Sequence, residues 1–408
     1  MNHELTKDFI NAHLNDDVNK LALSKFPDNI DKQFVIRQIQ ARQLLKKKLP
    51  SWSENDELLF PKRLSLEQCS SELTAKYKRT ISHRDEEAQC NISENQCRSV
   101  GEKRTISRRV AESQSRDASM APAIKHIDTS LHRILVDLTG GMGVDTSFLS
   151  DNFDETIYVE AQEELCELAR HNFKILNKNI EVVNAKAEDF LSQCDNVDCI
   201  YLDPARRDEY GRKMVSLHDC SPDVAELQDL IFEKSNTLIV KLSPMLDIDI
   251  IKKELKNIKE IHVVAVKNEC KEVLVKSARQ RDSETTSRDA SMIPAIKRID
   301  TSDDNEAIRR LYISAIDLKE NWKFSFTEDE EQNAIPTFAD EIGKYLFEPG
   351  VACMKTAPFK LLSQRFNIKK LHRNSHLYTS DELVTDFPGR IFEVINVIPF
   401  NKKTKKTL

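Results

Sequence analysis

The stretch from Ile134 to Asp145, ILVDLTGGMGVD, constrains this chain more than any other. An apolar run leads into Gly140, Gly141 and Gly143, three of only eight glycines in 408 residues. Without a Cβ, glycine enters backbone conformations closed to other residues and lets a ligand come close. The spacing predicts a buried strand, a tight turn and a helix start, which points free helix N–H groups at whatever the turn holds.

The flanking sequence says what kind of sheet this strand joins. Strand-like runs recur at Ile134 to Leu138, Thr156 to Val159, Glu181 to Val183, Cys199 to Leu202, Thr237 to Leu242 and Ile261 to Val266. Helical patterns separate most of them, the clearest from Gln162 to Leu176, where Leu165, Leu168, Ala169, Phe173 and Leu176 share one face. Strands interleaved with helices mean an α/β fold with a parallel, doubly wound sheet. Glu272 to Val275 and Leu311 to Ile316 read as two further strands with no helix between them, which predicts a terminal antiparallel hairpin.

At 408 residues the chain exceeds one ordinary core, and it divides by character. Residues 1–79 read as a helical N-terminal domain, with a helix from Lys32 to Lys48 ended by Pro50 and another starting near Ser70 or Ser71. Residues 80–132 are charged, Ser- and Arg-rich and without a period, which predicts a disordered insertion. Residues 133–327 hold the α/β domain, with an inserted loop at about 280–305. Residues 328–408 follow an acidic run, TEDEEQ, read as a linker, and suffice for a small α+β domain. The segment SRDASMAPAIKHIDTS at Ser115 to Ser130 returns at Ser287 to Ser302 with two changes, Ala121 to Ile293 and His126 to Arg298. Near identity between unlike flanks points to inserted elements tolerated in surface loops rather than to a stacked repeat.

Composition narrows the setting. A net charge of −6 argues against bulk attraction to nucleic acid, and the one basic cluster, Lys402 to Lys406, reads as a solvated terminus. Nine cysteines, scattered and without a CxxC pair, suit a reducing compartment. With no membrane-length apolar run and no signal-peptide core at the start, a cytoplasmic location is expected. His372, His376 and Cys353 lack the further cysteine of a zinc site, so no metal is expected.

The second strand ends in an acid, Glu160. In a parallel sheet this carboxylate lies at the carboxyl edge beside the glycine turn, placed to accept hydrogen bonds from both hydroxyls of a ribose. A nicotinamide dinucleotide and S-adenosylmethionine both carry one. The dinucleotide fingerprint needs a third glycine, and that position is Thr146.

Here the chain resembles the class I S-adenosylmethionine-dependent methyltransferases. Asp137, Gly141 and Gly143 match the acid and the last two glycines of their DxGxGxG motif, with Gly140 between and Thr139 standing where the first glycine would be. NAKAEDF, after the third strand, resembles their adenine-side segment of an acid and an alanine, with Ala187 at the matching place, Lys186 where the acid is usual, and Glu188 or Asp189 as its substitute. YLDPARRD resembles the fourth motif of nucleic-acid methyltransferases through Asp203 and Pro204. Ala205 replaces the second proline and Arg206 the aromatic. Uridine C5 methyltransferases also have arginine there, but they need a cysteine after strand five, where this chain reads VKLSPMLD. Taken whole, with EQCSSELTAKYK, LHRNSHLYTSDEL and FPGRIFEV, the chain is similar to a bacterial methyltransferase family with a C-terminal THUMP-like domain.

The resemblance implies a seven-stranded Rossmann-like methyltransferase sheet with S-adenosylmethionine as cofactor. The cofactor would be held by Asp137, Thr139, Gly140, Gly141, Gly143, Glu160, Ala187, Glu188 and Asp203. It further implies an RNA base as acceptor, with transfer RNA a candidate, and catalytic roles for Asp203, Pro204 and Arg206. Asp203 would orient the acceptor and take its proton. Two alternatives stay open: a non-catalytic RNA-binding protein that keeps this fold, and a nicotinamide-dependent dehydrogenase.

Overall fold

The computed structural model describes residues 3–82, 132–206, 216–279 and 310–398. Both copies of the repeat, the lysine cluster at the end of the chain and most of the segment expected to be disordered lie outside the described residues.

A nine-stranded mixed sheet forms the centre. Its strands are β1 (Ile134–Asp137), β2 (Glu155–Glu160), β3 (Glu181–Asn184), β4 (Val197–Leu202), β7 (Ser235–Leu242), β8 (Ile258–Val266), β9 (Glu269–Ala278), β10 (Tyr312–Asp317) and β11 (Trp322–Thr327). They lie in the order β11-β10-β8-β9-β7-β4-β1-β2-β3. Two short strands, β5 (Ala205–Arg206) and β6 (Cys220–Ser221), pair by themselves beside it. From β3 to β7 every neighbour is parallel, so these strands deliver their carboxyl ends to one edge.

The order reverses beside β1, whose neighbours are β2 and β4, and such a reversal opens the crevice in which doubly wound sheets bind ligands. Side chains alternate across the sheet. Val136, Leu138, Ile200, Leu202, Leu238 and Val240 face helices Val224–Lys234 and Ile248–Glu254. Leu135, Cys199, Tyr201 and Ile239 face Leu149 of helix Val144–Leu149 and Ile81 of helix Glu72–Ile81. Both faces are therefore buried, which explains why the strands read as continuous apolar runs.

The expected seven strands are present, and two more extend the sheet. The expected pairing of Glu272–Val275 with Leu311–Ile316 does not occur. β9 instead folds back on β8 through Lys267 and Asn268, both at positive φ, and β10 lies parallel to β8 and antiparallel to β11. Asp317, at the end of β10, fixes this arrangement: its carboxylate accepts from the backbone N–H groups of Lys267 (3.1 Å), Asn268 (2.6 Å), Lys319 (3.0 Å) and Glu320 (3.1 Å).

The N-terminal segment is helical, as expected. Helix Lys32–Leu45 carries Gln38, whose buried amide clamps both backbone groups of Phe60. Pro50 opens the next short helix, Pro50–Ser53, where its missing N–H costs nothing. Ser71 caps helix Glu72–Ile81 by accepting from Thr74 N–H. This segment docks on the sheet domain through Asn172, whose amide bonds both backbone groups of Leu59 at 2.8 and 2.9 Å.

At the other end, the acidic run read as a linker folds instead as helix Glu328–Asn333. Thr327 and Glu330 form its capping box. Beyond it β12 (Tyr345–Pro349), β13 (Lys369–Lys370), β14 (Tyr378–Ser380) and β15 (Gly389–Glu393) make a small antiparallel sheet in the order β13-β14-β12-β15. Helix Val351–Thr356 seats it against the large sheet: Val351 N–H donates to the Asn268 side chain (2.9 Å), and Lys355 Nζ donates to Leu246 O (2.7 Å). Among the described residues no helix is long and apolar enough to cross a membrane.

Candidate active site

The glycine turn is built against the aromatic pair Tyr158 and Phe173. A Cβ on Gly140 would lie 2.1 Å from the Tyr158 ring, and one on Gly143 2.8 Å from the Phe173 ring, so neither position accepts a side chain. The Tyr158 hydroxyl donates to Gly141 O at 2.6 Å and pins the turn. Gly141 (φ +53°) and Gly143 (φ +80°) occupy the left-handed region that favours glycine. A Cβ on Gly141 would meet only Thr139 O, at 3.8 Å, so this side of the turn is open.

Asp137 ends β1 fully buried, and its carboxyl serves the loop. Oδ1 accepts from Thr139 N–H (3.0 Å), and Oδ2 accepts from the Thr146 hydroxyl (2.6 Å). Burial pushes its pKa up to about 7, against the opposing pull of these two donors. Thr146 is thus a working part of this turn: its hydroxyl makes a bond that the third glycine of a dinucleotide fingerprint could not.

Glu160 lies at the end of β2, half-buried. One carboxylate oxygen accepts from Gly141 N–H and the other from Gln162 N–H, both at 2.9 Å. Two backbone donors hold the group rigid while each oxygen keeps an acceptor site for a further hydroxyl.

Asp203 follows β4 and joins the turn through Thr139. The Thr139 hydroxyl accepts from Asp203 N–H at 2.6 Å, so the residue that departs from the glycine motif ties the first strand's loop to the fourth's. Pro204 is half-buried beside it. Arg206 pairs with Cys220 in β5, and only its backbone falls within the described residues. Arg207 and Asp208 lie outside them. Ala187 (buried) and Glu188 (exposed) open helix Ala187–Gln193 after β3. Asn184 bonds the backbone oxygens of Glu160 and Ala161, holding the ends of β2 and β3 together. Asp137, Thr139, the three glycines, Glu160 and Asp203 are therefore one connected hydrogen-bonded edge, with Ala187 and Glu188 on the neighbouring strand's helix.

Residues 345–388 match a family model of a ferredoxin-like domain, in the region where the sequence suggested a THUMP-like one. Among solved structures the chain is similar to a candidate methyltransferase from Porphyromonas gingivalis W83, at 28% identity and a TM-score of 0.72, over 99% of this chain and 85% of that one. Partial similarities include an rRNA methylase from Streptococcus thermophilus (15% identity, TM-score 0.28, 37% of this chain and 89% of that one). Another is a candidate methyltransferase from Streptococcus mutans in complex with SAH (16% identity, TM-score 0.28, 36% and 88%). No curated protein matches the chain. The fold is a methyltransferase-like α/β sheet with a separate small antiparallel sheet domain.

Behind Asp203 lies a group of charges that sequence reasoning missed. Lys241, near the end of β7, makes a short ion pair with Asp203, their side chains 13% and 34% exposed. Lys78, from helix Glu72–Ile81, is fully buried. It lies 3.2 Å from Asp145 and 2.8 Å from Glu272 of β9 and donates to Ser70 Oγ at 2.9 Å. Asp145 also accepts from Ser70 (2.7 Å) and from the Tyr201 hydroxyl (2.8 Å). Burial raises the carboxyl pKa of Asp145, but Lys78, Lys241 and these hydroxyls outweigh it and hold the group below the usual range. For Lys241 burial acts downward, and Asp203, Asp145 and Glu272 together hold the ammonium above the usual lysine range. One signal in the sequence could have found Lys78: it lies on the same helix face as the buried Thr74, Ala75 and Ile81. Lys241 lies in the VKLSPMLD run, where nothing local marks it as the partner of Asp203.

His376, one of the histidines considered for a metal, stacks on Phe359 at 3.6 Å, and Cys353 is buried in the core.

Proposed function

We propose that the protein is an S-adenosylmethionine-dependent methyltransferase acting on an RNA base. The observation that carries this reading is the connected edge itself: a rigid ribose-ready carboxylate at Glu160, an open glycine at Gly141, and Asp203 tied to the same turn through Thr139. The donor set fits S-adenosylmethionine better than a dinucleotide, because Thr146 is committed to Asp137 and the first turn of the following helix carries the buried acid Asp145.

S-adenosylmethionine would supply a sulfonium methyl for displacement onto the acceptor, with S-adenosylhomocysteine as the leaving group. Glu160 would hold its ribose diol, and the open glycine turn would let it approach the backbone. Asp203 orients the acceptor and takes the proton it sheds, passing it to solvent. Most of the acceleration comes from alignment of acceptor, methyl and sulfur, which two rigid loops tied by Thr139 provide. Pro204 and Arg206 complete the acceptor side, and Ala187 and Glu188 the adenine side. The small C-terminal domain, THUMP-like in this reading, contacts the RNA. The absence of cysteine in VKLSPMLD argues against uridine C5 as the acceptor.

The test is incubation with total RNA and methyl-labelled S-adenosylmethionine, followed by nucleoside mass spectrometry. One labelled nucleoside, lost in Asp203→Ala, is expected. RNA binding with no label in any nucleoside would favour the non-catalytic alternative.

A further inference from the structure

The ion pair behind Asp203 is more than a structural tie. Asp203 stands in acidic surroundings: Asp137 from β1, Asp145 from helix Val144–Leu149 and Glu272 from β9 all act on the Asp203–Lys241 neighbourhood, alongside the Tyr201 hydroxyl and the Cys69 thiol. Like charges this close repel, so a carboxylate here needs a cation to hold it in place. Two ammonium groups face these acids, and they divide the work. Lys78 bonds Glu272 and lies against Asp145, and Lys241 bonds Asp203. Because Lys78 comes from the N-terminal helical segment, docking of that segment leaves Lys241 for Asp203.

We infer that Lys241 is a positioning residue for methyl transfer: its ammonium holds the Asp203 carboxylate fixed at the acceptor side. The inference rests on the methyltransferase reading above. Lys241 need not touch the acceptor, since its ammonium is engaged by Asp203 and its side chain is 13% exposed. Removing the cation frees the Asp203 carboxylate to turn away from the acceptor, so turnover falls while cofactor binding stays.

The experiment measures kcat and the KM for RNA with the full chain, methyl-labelled S-adenosylmethionine and total RNA, with cofactor affinity followed by calorimetry. Lys241→Met should lower kcat about tenfold or more while leaving the KM for RNA and the affinity for S-adenosylmethionine near wild type. Lys241→Arg, which retains the charge, should recover most of the wild-type kcat. If Lys241→Met does not fold, Lys241→Gln, neutral and similar in length, gives the same reading. An unchanged kcat, or a loss in Lys241→Arg as large as in Lys241→Met, overturns the role of Lys241 while leaving the methyltransferase reading intact. No methyl transfer by a wild-type chain that binds the cofactor overturns that reading, and the inference with it.

Discussion

At the scale of single residues, the site is governed by which polar groups are spent inside the protein and which remain free. Asp137 is spent: buried and bonded to Thr139 and Thr146, it shapes the turn. Its pKa of about 7 lies well above the ordinary aspartate value of about 3.9, so the folded state favours the protonated form. That preference contributes stability fully below about pH 4, and the contribution is lost as pH rises through 7. Asp137→Asn cannot ionise. In thermal melts of the ligand-free protein its melting temperature should therefore rise relative to the wild type between pH 4 and 7 and level off above. A difference that does not vary with pH would mean that Asp137 is ionised throughout. Thr139 teaches the complementary lesson. It stands where the motif has a glycine, and its hydroxyl accepts the Asp203 N–H, a bond no glycine could make.

At the scale of elements, the parallel strands were legible because burial on both faces leaves continuous apolar runs. Once the sheet was parallel, Asp137, Glu160 and Asp203 had to gather at one edge. The β8–β9 hairpin was not legible, because its turn is Lys267–Asn268 rather than a glycine pair, and the Asp317 carboxylate that supports it comes from β10. The helix over Glu328–Asn333 carried a readable T-x-x-E capping signal, outweighed by its charge. Lys78 and Lys241 were hidden for another reason: their partners Glu272 and Asp203 are 194 and 38 residues away in sequence.

Helix Glu72–Ile81 is bolted to the sheet by Lys78, and breaking a buried ion pair leaves an uncompensated charge. Lys78→Met should cost roughly 3–5 kcal/mol in urea unfolding. The double variant Lys78→Met/Glu272→Gln, which also removes one of the two acids left without Lys78, should recover part of that loss. A cost below about 1 kcal/mol for the single variant would show that the pair is solvated.

At the scale of the whole molecule, the N-terminal helical segment and the small C-terminal sheet approach the large sheet at different places. The first sends Lys78 and Ser70 into the charge cluster behind Asp203, and the second seats helix Val351–Thr356 against Asn268 and the loop at Leu246. The edge at the glycine turn is thus supported from the N-terminal side, while the small domain packs beyond β7. The central claim is narrower, that the Gly140–Gly143 turn and Glu160 bind S-adenosylmethionine. Titration calorimetry of the full chain with S-adenosylmethionine and with NADH, repeated on Glu160→Ala, tests it most directly. The account predicts binding of S-adenosylmethionine alone, weakened about tenfold or more by the loss of charge-assisted bonds to the ribose. Binding of NADH instead, or an affinity for S-adenosylmethionine unchanged in Glu160→Ala, would contradict it.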